Sequence, residues 1–391
     1  MHEEQRLNTV IQLIESFRFQ KPLSVFLREV FRFQRSMGSR DRKIISQCVY
    51  SFFRLGKSLE SLPISERIAI GLFLTTENPG DFYLWCIGKH SSLGGITEIN
   101  QRGKLTQVKN SYPAFSEKDI FPFCEFLSPE TYTEEFPLSF LRKPKTWVRV
   151  RKINRRDVLN ELTVKNIPYT IEEGTDAVEI QSTFRLEDFE TFRKGYFEVQ
   201  DLSSQKTGNY FSPKPNESWW DACSGSGGKS LLLFEKENSV KLTASDTREK
   251  ILFNLKERFK RAGIKNYKTE VLNLENESFP TEQMFDGIIV DAPCTGSGTW
   301  TRSPEWLSNF KPEMVYDYSE KLKKIVGNVL KNLKIGAPLI YVTCSVFKKE
   351  NEENIKHFTE NFPLTLECSE YLFGYKNGAD NLFVARMNKK S

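Results

Sequence analysis

The stretch Trp219-Trp220-Asp221-Ala222-Cys223-Ser224-Gly225-Ser226-Gly227-Gly228-Lys229-Ser230 decides the fold. A strand-like apolar pair ends in an acid and runs into a glycine loop, where the backbone can approach a ligand closely and turn sharply into a helix. Two nucleotide-binding loops nearly fit. A phosphate-gripping Walker loop needs Gly where this chain has Cys223, and a dinucleotide loop needs a third Gly where it has Ser230. What remains is Asp-x-x-x-Gly-x-Gly-Gly, followed 25 residues after Asp221 by Asp246 at the end of a second strand. An acid there is placed to accept hydrogen bonds from ribose hydroxyls. A ligand with a nucleoside but no phosphate suits the arrangement, and S-adenosylmethionine is such a ligand. By itself the loop also reads as a tight turn.

Outward from this loop, strand candidates at 219–222, 242–245, 270–272, 287–290 and 339–342 alternate with helical stretches. Such alternation predicts an α/β doubly wound, Rossmann-like domain with a parallel sheet. The fourth strand runs into Asp291-Ala292-Pro293-Cys294-Thr295-Gly296 and the fifth into Thr343-Cys344-Ser345. Ligands of open α/β sheets settle outside the carboxyl ends of the strands, so two thiols there point to covalent catalysis. Carbon 5 of cytosine is too weak a nucleophile to take a methyl group directly. A thiolate added at carbon 6 makes it an enamine that can do so, and a carboxyl group such as that of Asp291 can hydrogen-bond ring nitrogen 3. A second thiol can assist the later release. The bland alternative is that both cysteines are small buried hydrophobes, the reading given to Cys48, Cys86, Cys124 and Cys368.

The rest of the 391-residue chain is organised around charge. Net charge is only +5, but residues 141–156 hold eight Lys/Arg and no acid, and 28–57 hold eight against Glu29 and Asp41. Concentrated positive charge attracts phosphate backbones, which makes nucleic acid the expected partner. Apolar residues at helical spacing (Leu7, Val10, Ile11, Ile14; Ile44, Ile45, Cys48, Val49, Phe52, Phe53) predict a helical domain over 1–100, with Ser39 placed as a helix cap. Residues 101–140 read as an irregular connector, 141–205 as a small basic α/β module and 206–391 as the Rossmann-like domain. Seven cysteines without a C-x-x-C pair argue against a disulfide framework or a zinc site, so no metal is expected. No apolar run approaches the ~18 residues of a membrane span. A cytoplasmic, monomeric protein is the expectation.

At the thiol-bearing strand ends the chain resembles the bacterial ribosomal RNA cytosine methyltransferases of the RsmB type, within the larger Nop2/Sun family. The resemblance rests on 196–205 (Tyr-Phe-Glu-Val-Gln-Asp-Leu-Ser-Ser-Gln), the glycine loop through Lys229, Asp246, 291–298 with Arg302 and Pro304, 341–345, Glu350-Asn351-Glu352 and 382–386. It implies a class I methyltransferase domain acting on carbon 5 of an RNA cytosine, with Cys344 as nucleophile, Cys294 aiding product release, Asp291 contacting the ring and Lys229 beside them. It implies a cofactor site from Asp221, Cys223, Gly225, Gly227, Gly228, Lys229, Asp246, Asn273 and Asp291. RNA would be held by Arg149, Arg151, Lys152, Arg155, Arg156 and Arg302. Gly38-Ser39-Arg40-Asp41-Arg42-Lys43, with Val49-Tyr50 and Arg54 following, resembles the antitermination-factor-like helical domain of these enzymes. That implies small-subunit ribosomal RNA as substrate, with transfer RNA, or an RNA-binding assembly factor that has lost turnover, as alternatives. The chain departs from the family pattern where Ser224-Gly225-Ser226 replaces Ala-Ala-Pro, where Asn273 replaces an acid expected at the adenine, at Arg151 and at Asn381-Leu382.

Overall fold

Trp219 and Trp220 point to opposite sides of one strand, and both are fully buried. A strand can do this only in a sheet covered on both faces, because successive side chains alternate. The computed structural model describes residues 1–391 apart from 35–36, 78, 94–99, 132 and 182–184. The chain divides into two compact units, one made of residues 1–143 with 299–311 and the other of 144–298 with 312–391.

The second unit contains two sheets. Strands β1 (Thr146–Val150), β2 (Tyr169–Ile171), β3 (Ala177–Ile180) and β4 (Phe197–Val199) form a small antiparallel sheet in the order β2-β3-β1-β4. Strands β5 (Ser218–Asp221), β6 (Lys241–Asp246), β7 (Tyr267–Val271), β8 (Gly287–Asp291), β9 (Pro338–Thr343), β10 (Leu364–Phe373) and β11 (Asn381–Lys389) form the large sheet. Its order is β10-β11-β9-β8-β5-β6-β7, with β5 to β9 parallel and β10 and β11 antiparallel. The five expected strands are present, and the long hairpin β10–β11 extends them into a mixed sheet. Trp220, Ile288, Val290, Leu339 and Tyr341 pack on Leu322, Val326, Ile355 and Phe358 of helices Glu313–Val329 and Glu352–Asn361. Trp219, Leu242, Ile289 and Val342 pack on Leu231, Leu255 and Phe259 on the other face. Strand order reverses between β5 and β8, so the crevice that binds ligands in such folds opens above these two strands.

The small sheet is tied to the large one by ionic and backbone bonds. Glu198 of β4, almost wholly buried, receives Arg258 and Arg261, and Asp380 N donates to Asp201.

The first unit is helical: Glu3–Ser16, Leu23–Phe33, Ser39–Phe53, Ile64–Thr75, Asp81–His90 and Gln101–Ser111. The last of these lies in the stretch expected to be irregular, where a side-chain cap, Asn100 accepting from Gly103 N at 2.9 Å, starts a helix of weak apolar periodicity. The third helix is capped by Gly38 rather than by Ser39, whose side chain makes no capping bond. Arg35, one of the charges counted in the basic run 28–57, lies outside the described residues. Arg54, another, is buried. It donates to the carbonyls of Phe140, Arg142 and Thr301 at 2.7–2.9 Å, and burial pulls its pKa down to about 10. Among the described residues no helix is long and apolar enough to cross a membrane.

Candidate active site at the strand ends

β5 ends at Asp221, and the loop beyond it folds back over β6. Ser224 N donates to Ser245 O at 2.8 Å, and Gly225 N donates to Asp246 Oδ2 at 3.0 Å. Gly225 and Gly227 take φ of 51° and 84°, the left-handed region that favours glycine. A side chain at Gly227 would also strike the Phe259 ring at 2.8 Å, whereas the space over Gly225 is open. The loop therefore presents bare backbone upward and opens the helix Gly228–Lys236.

Three acids surround it. Asp221 lies wholly buried beneath the loop, its Oδ2 accepting from Ser230 Oγ at 2.6 Å while its Oδ1 has no hydrogen-bond partner. Burial, with Asp291 adding to it, pushes this carboxyl up to about 7. The position suits an anchor of the loop from below rather than a direct ligand contact. Asp246, at the end of β6, accepts from Arg248 N at 2.9 Å and from the Arg248 guanidinium on both oxygens. Burial opposes its ionisation, but these bonds hold the carboxyl below the ordinary value. Asp291, at the end of β8, pairs with Lys229 Nζ at 2.6 Å, and Lys229 is itself nearly buried. Cys223 lies among these three carboxyls, and burial, reinforced by their charge, drives its thiol well up. Asn273, beyond β7, accepts from Glu275 N and stays exposed.

Past β8 and β9 the two singled-out thiols meet. Cys294 Sγ and Cys344 Sγ are 3.4 Å apart, and both residues are half-buried. Contact with Cys344, then burial, holds the Cys294 thiol well above its ordinary value, so Cys294 keeps its proton and can share it with its neighbour. Beneath them lies Glu350, fully buried. Its carboxyl accepts from Thr295 N at 2.8 Å, from Thr295 Oγ1 at 2.6 Å and from Ser345 Oγ. One acid thus fixes the residue after each cysteine. Burial pushes Glu350 up to about 7 in spite of those donors. Asn351 bonds Ser345 O and Thr343 Oγ1, and Gly298 N donates to Cys344 O at 2.8 Å. A Cβ at Gly298 would lie 2.0 Å from Asn381 O, so only glycine permits that approach.

Sequence reasoning brought Asp291, Lys229, Cys294 and Cys344 into one place, and the structure joins them in two bonded pairs. It did not foresee the work of Glu350, because a buried acid carries no periodic or local signal. Nor did it single out Tyr318, whose hydroxyl is held protonated by burial and by the nearby Cys294, Glu350 and Cys344.

The basic residues fare differently. Arg149, expected to touch phosphate, has a side chain 3% exposed that pairs with Glu235 and donates to Gln200 Oε1 at 2.7 Å. Arg149 therefore lines the cleft described below with its charge already paired. Arg151 donates to Ala262 O at 3.0 Å and lies 3.3 Å from Glu235, and Arg155 donates to Thr175 O. Lys152 and Arg156 are exposed. A cleft of about 1070 Å³ opens here, lined among others by Arg151, Lys152, Arg155, Lys206 and Lys236. Arg302 belongs to the 299–311 segment of the first unit, its N–H bonded to Thr299 O. Among the described residues no group of His, Cys, Asp and Glu is arranged to hold a metal ion.

Known proteins resemble this chain. Residues 209–375 match the family described as 16S rRNA methyltransferase RsmB/F. The chain is 30% identical over 267 residues to ribosomal RNA small subunit methyltransferase B of Escherichia coli strain 536, covering 64% of this chain and 61% of that protein. The protein of the same description from Shigella sonnei is 29% identical over the same length. This chain thus spans about 61% of the length of the curated relatives it matches. Among solved structures, PH0851 aligns over 100% of this chain and 99% of its own at 20% identity and a TM-score of 0.72. NSun6 from Pyrococcus horikoshii, solved with SFG, aligns over 67% of this chain and 96% of its own at 18% identity and 0.59. At these identities the structural likeness speaks for the fold, a Rossmann-like domain with helical and small-sheet additions. Residues 209–375, the segment similar to the RsmB/F methyltransferases, contain the glycine loop, both thiols and Glu350.

Proposed function

We propose that this protein is an S-adenosylmethionine-dependent methyltransferase acting on carbon 5 of a cytosine in small-subunit ribosomal RNA, through a cysteine adduct at carbon 6. The observation that carries the reading is the pair of thiols, 3.4 Å apart at adjacent strand ends, beside an aspartate bonded to a lysine. The similarity to ribosomal RNA methyltransferases favours the RNA class.

The residues at the ends of β5, β6 and β8 fit the cofactor. Open space above Gly225, left-handed backbone at Gly225 and Gly227, and three acids around them suit a cationic nucleoside. Gly225, Gly227, Gly228, Lys229 and Asp246 would hold it, with Asn273 beside the base and Asp221 and Cys223 beneath the loop. When bound, it supplies an electrophilic methyl group.

This chain's residues act on the cytosine. The Cys344 thiolate adds to carbon 6, a carbon–sulfur bond forms, and the ring electrons shift so that carbon 5 becomes nucleophilic. The Asp291 carboxyl, carrying a proton it can take from Lys229 Nζ at 2.6 Å, donates a hydrogen bond to ring nitrogen 3 and stabilises the charge that addition creates. Once carbon 5 carries the methyl group its proton passes to water, the carbon–hydrogen electrons restore the ring double bond as the carbon–sulfur bond breaks, and the Cys344 thiolate is regained. Cys294 assists that release. Lys152, Arg155 and Arg156 attract the RNA backbone.

Bisulfite sequencing of total RNA from cells with and without this gene tests the proposal. One cytosine of the small-subunit RNA should lose its protection when the gene is absent. Identical protection patterns in the two cell lines would reject it, and loss confined to a transfer RNA would replace the substrate.

A further inference from the structure

Five cysteines of this chain stand apart from the pair at the strand ends. Cys48 and Cys86 neighbour one another but are fully buried, and Cys124, Cys223 and Cys368 make no thiol contact among the described residues. Cys294 and Cys344 alone combine half-burial with sulfurs 3.4 Å apart. Their backbones are already fixed for a closer approach. β8 and β9 are paired in parallel with Asp291 opposite Val342, so the two loops leave neighbouring strands side by side. Glu350 clamps Thr295 and Ser345, and Gly298 N holds Cys344 O. A disulfide needs a sulfur separation of about 2.05 Å. Closing the remaining gap asks for side-chain rotation within a pocket whose main chain is tethered at both ends.

We propose that Cys294 and Cys344 form an oxidative modification site, closing to a reversible disulfide when the protein meets a hydroperoxide. In the first step one cysteine sulfur attacks a peroxide oxygen. The oxygen–oxygen bond breaks, a sulfenic acid forms, and the other oxygen leaves with the thiol's proton, as water when the oxidant is hydrogen peroxide. In the second step the partner sulfur attacks the sulfenic sulfur. The sulfur–sulfur bond forms, the sulfur–oxygen bond breaks, and the departing hydroxide takes the partner's proton to become a second water. Each sulfur gives up one electron and the peroxide accepts both. Because the partner stands in contact, condensation competes with further oxidation to sulfinic acid, which is irreversible outside dedicated repair. The bond would protect both thiols while leaving no nucleophile free. Its formation is independent of the function proposed above, and its effect on methylation rests on that reading.

The test uses the full chain, treated with a few equivalents of hydrogen peroxide, quenched, unfolded and alkylated without reductant. Mass spectrometry should find the protein lighter by two hydrogens before alkylation, with a single cross-linked peptide pair joining Cys294 to Cys344 and the other five cysteines alkylated. Dithiothreitol should reverse the link. Cys294→Ser, which removes the partner but keeps the site polar, should instead accumulate sulfinic acid at Cys344. Sulfinic or sulfonic acid at either cysteine of the unaltered protein, with no cross-link, would overturn the inference, as would a link to Cys368 or Cys223. RNA methylation measured on the same samples separates the two proposals. A cross-link in a protein that never methylates RNA removes the function and leaves the site. Full methylation by the cross-linked protein removes Cys344 as the nucleophile.

Discussion

The loops after β8 and β9 and the face of β1 both concentrate polar side chains, but internal bonds serve them in opposite ways. Around the thiols, the buried acceptor Glu350 bonds the residues next to the cysteines and leaves the two sulfur atoms in contact with each other. Around β1, the acceptors Glu235, Gln200 and Ala262 O bond the guanidinium groups directly, so the charges are spent inside the fold. A buried network that grips neighbours orients a reactive group, and one that grips the group itself removes it from function.

The largest effects should come from the thiols. Cys344→Ala should form no covalent RNA adduct and show no turnover. Cys294→Ala should still attack and methylate but release slowly, accumulating a protein–RNA adduct visible as a retarded band on a denaturing gel. An adduct that persists in Cys344→Ala and vanishes in Cys294→Ala would exchange the two roles and with them the sense in which the Glu350 clamp orients the nucleophile.

Next in size is Asp246, the acid that closes β6. Removing a charge-assisted acceptor costs about 1.5–3 kcal/mol per bond, on the order of ten- to a hundredfold in affinity. Asp246→Ala should weaken S-adenosylmethionine binding by that amount in calorimetry. Unchanged affinity would mean that Arg248, which already occupies both carboxylate oxygens, keeps this acid out of the cofactor site.

The clamp itself is open to a pH test. Glu350 and Asp221 have folded pKa values raised to about 7 by burial, against ordinary values of 4.5 and 3.8. An acid that holds its proton more firmly in the folded chain favours folding below its unfolded pKa, and that contribution is lost as pH rises through its folded value. Stability in urea should therefore fall between about pH 4 and 7. Glu350→Gln, neutral at every pH, should flatten part of that decline, and an unaltered slope would show that Glu350 is ionised without cost. Glu350→Ala should destabilise at all pH values, since each buried donor left unpaired costs about 1–3 kcal/mol.

Much of this site was legible because its signals are local. Glycines before a helix, an acid closing three of the parallel strands and cysteines just past apolar runs place Gly225, Asp246, Asp291, Cys294 and Cys344 from sequence order alone. β8 and β9 were readable for the same reason, each being a short apolar run. β10 was not, because six successive residues between Thr365 and Glu370 lie exposed on an edge strand and carry no alternation. Glu350 and Arg149 escaped for a shared reason. Their roles depend on partners 55 and 51 residues away in sequence, Thr295 and Gln200, and no pattern of residue types reports which charges a fold will bury.

The smallest effects, and the finest test of the contrast, lie in the basic segment. If Arg149 is internal, Arg149→Ala should lower stability, because it leaves Glu235 without its closest cation and Gln200 without its donor. It should leave the salt dependence of RNA binding as it was. Lys152→Ala and Arg156→Ala, at exposed positions, should do the reverse. Stability should hold, RNA affinity should drop modestly, and the slope of log affinity against log salt should flatten by somewhat less than one unit for each phosphate no longer neutralised. Arg151 and Arg155 are the informative intermediates, since each has an internal carbonyl partner yet lines the cleft. A salt slope that flattens in Arg149→Ala as much as in Lys152→Ala would mean that the Arg149–Glu235 pair opens on RNA. The two regions would then differ only in the unbound protein, and burial would have misled the reading of β1 as residue type alone did.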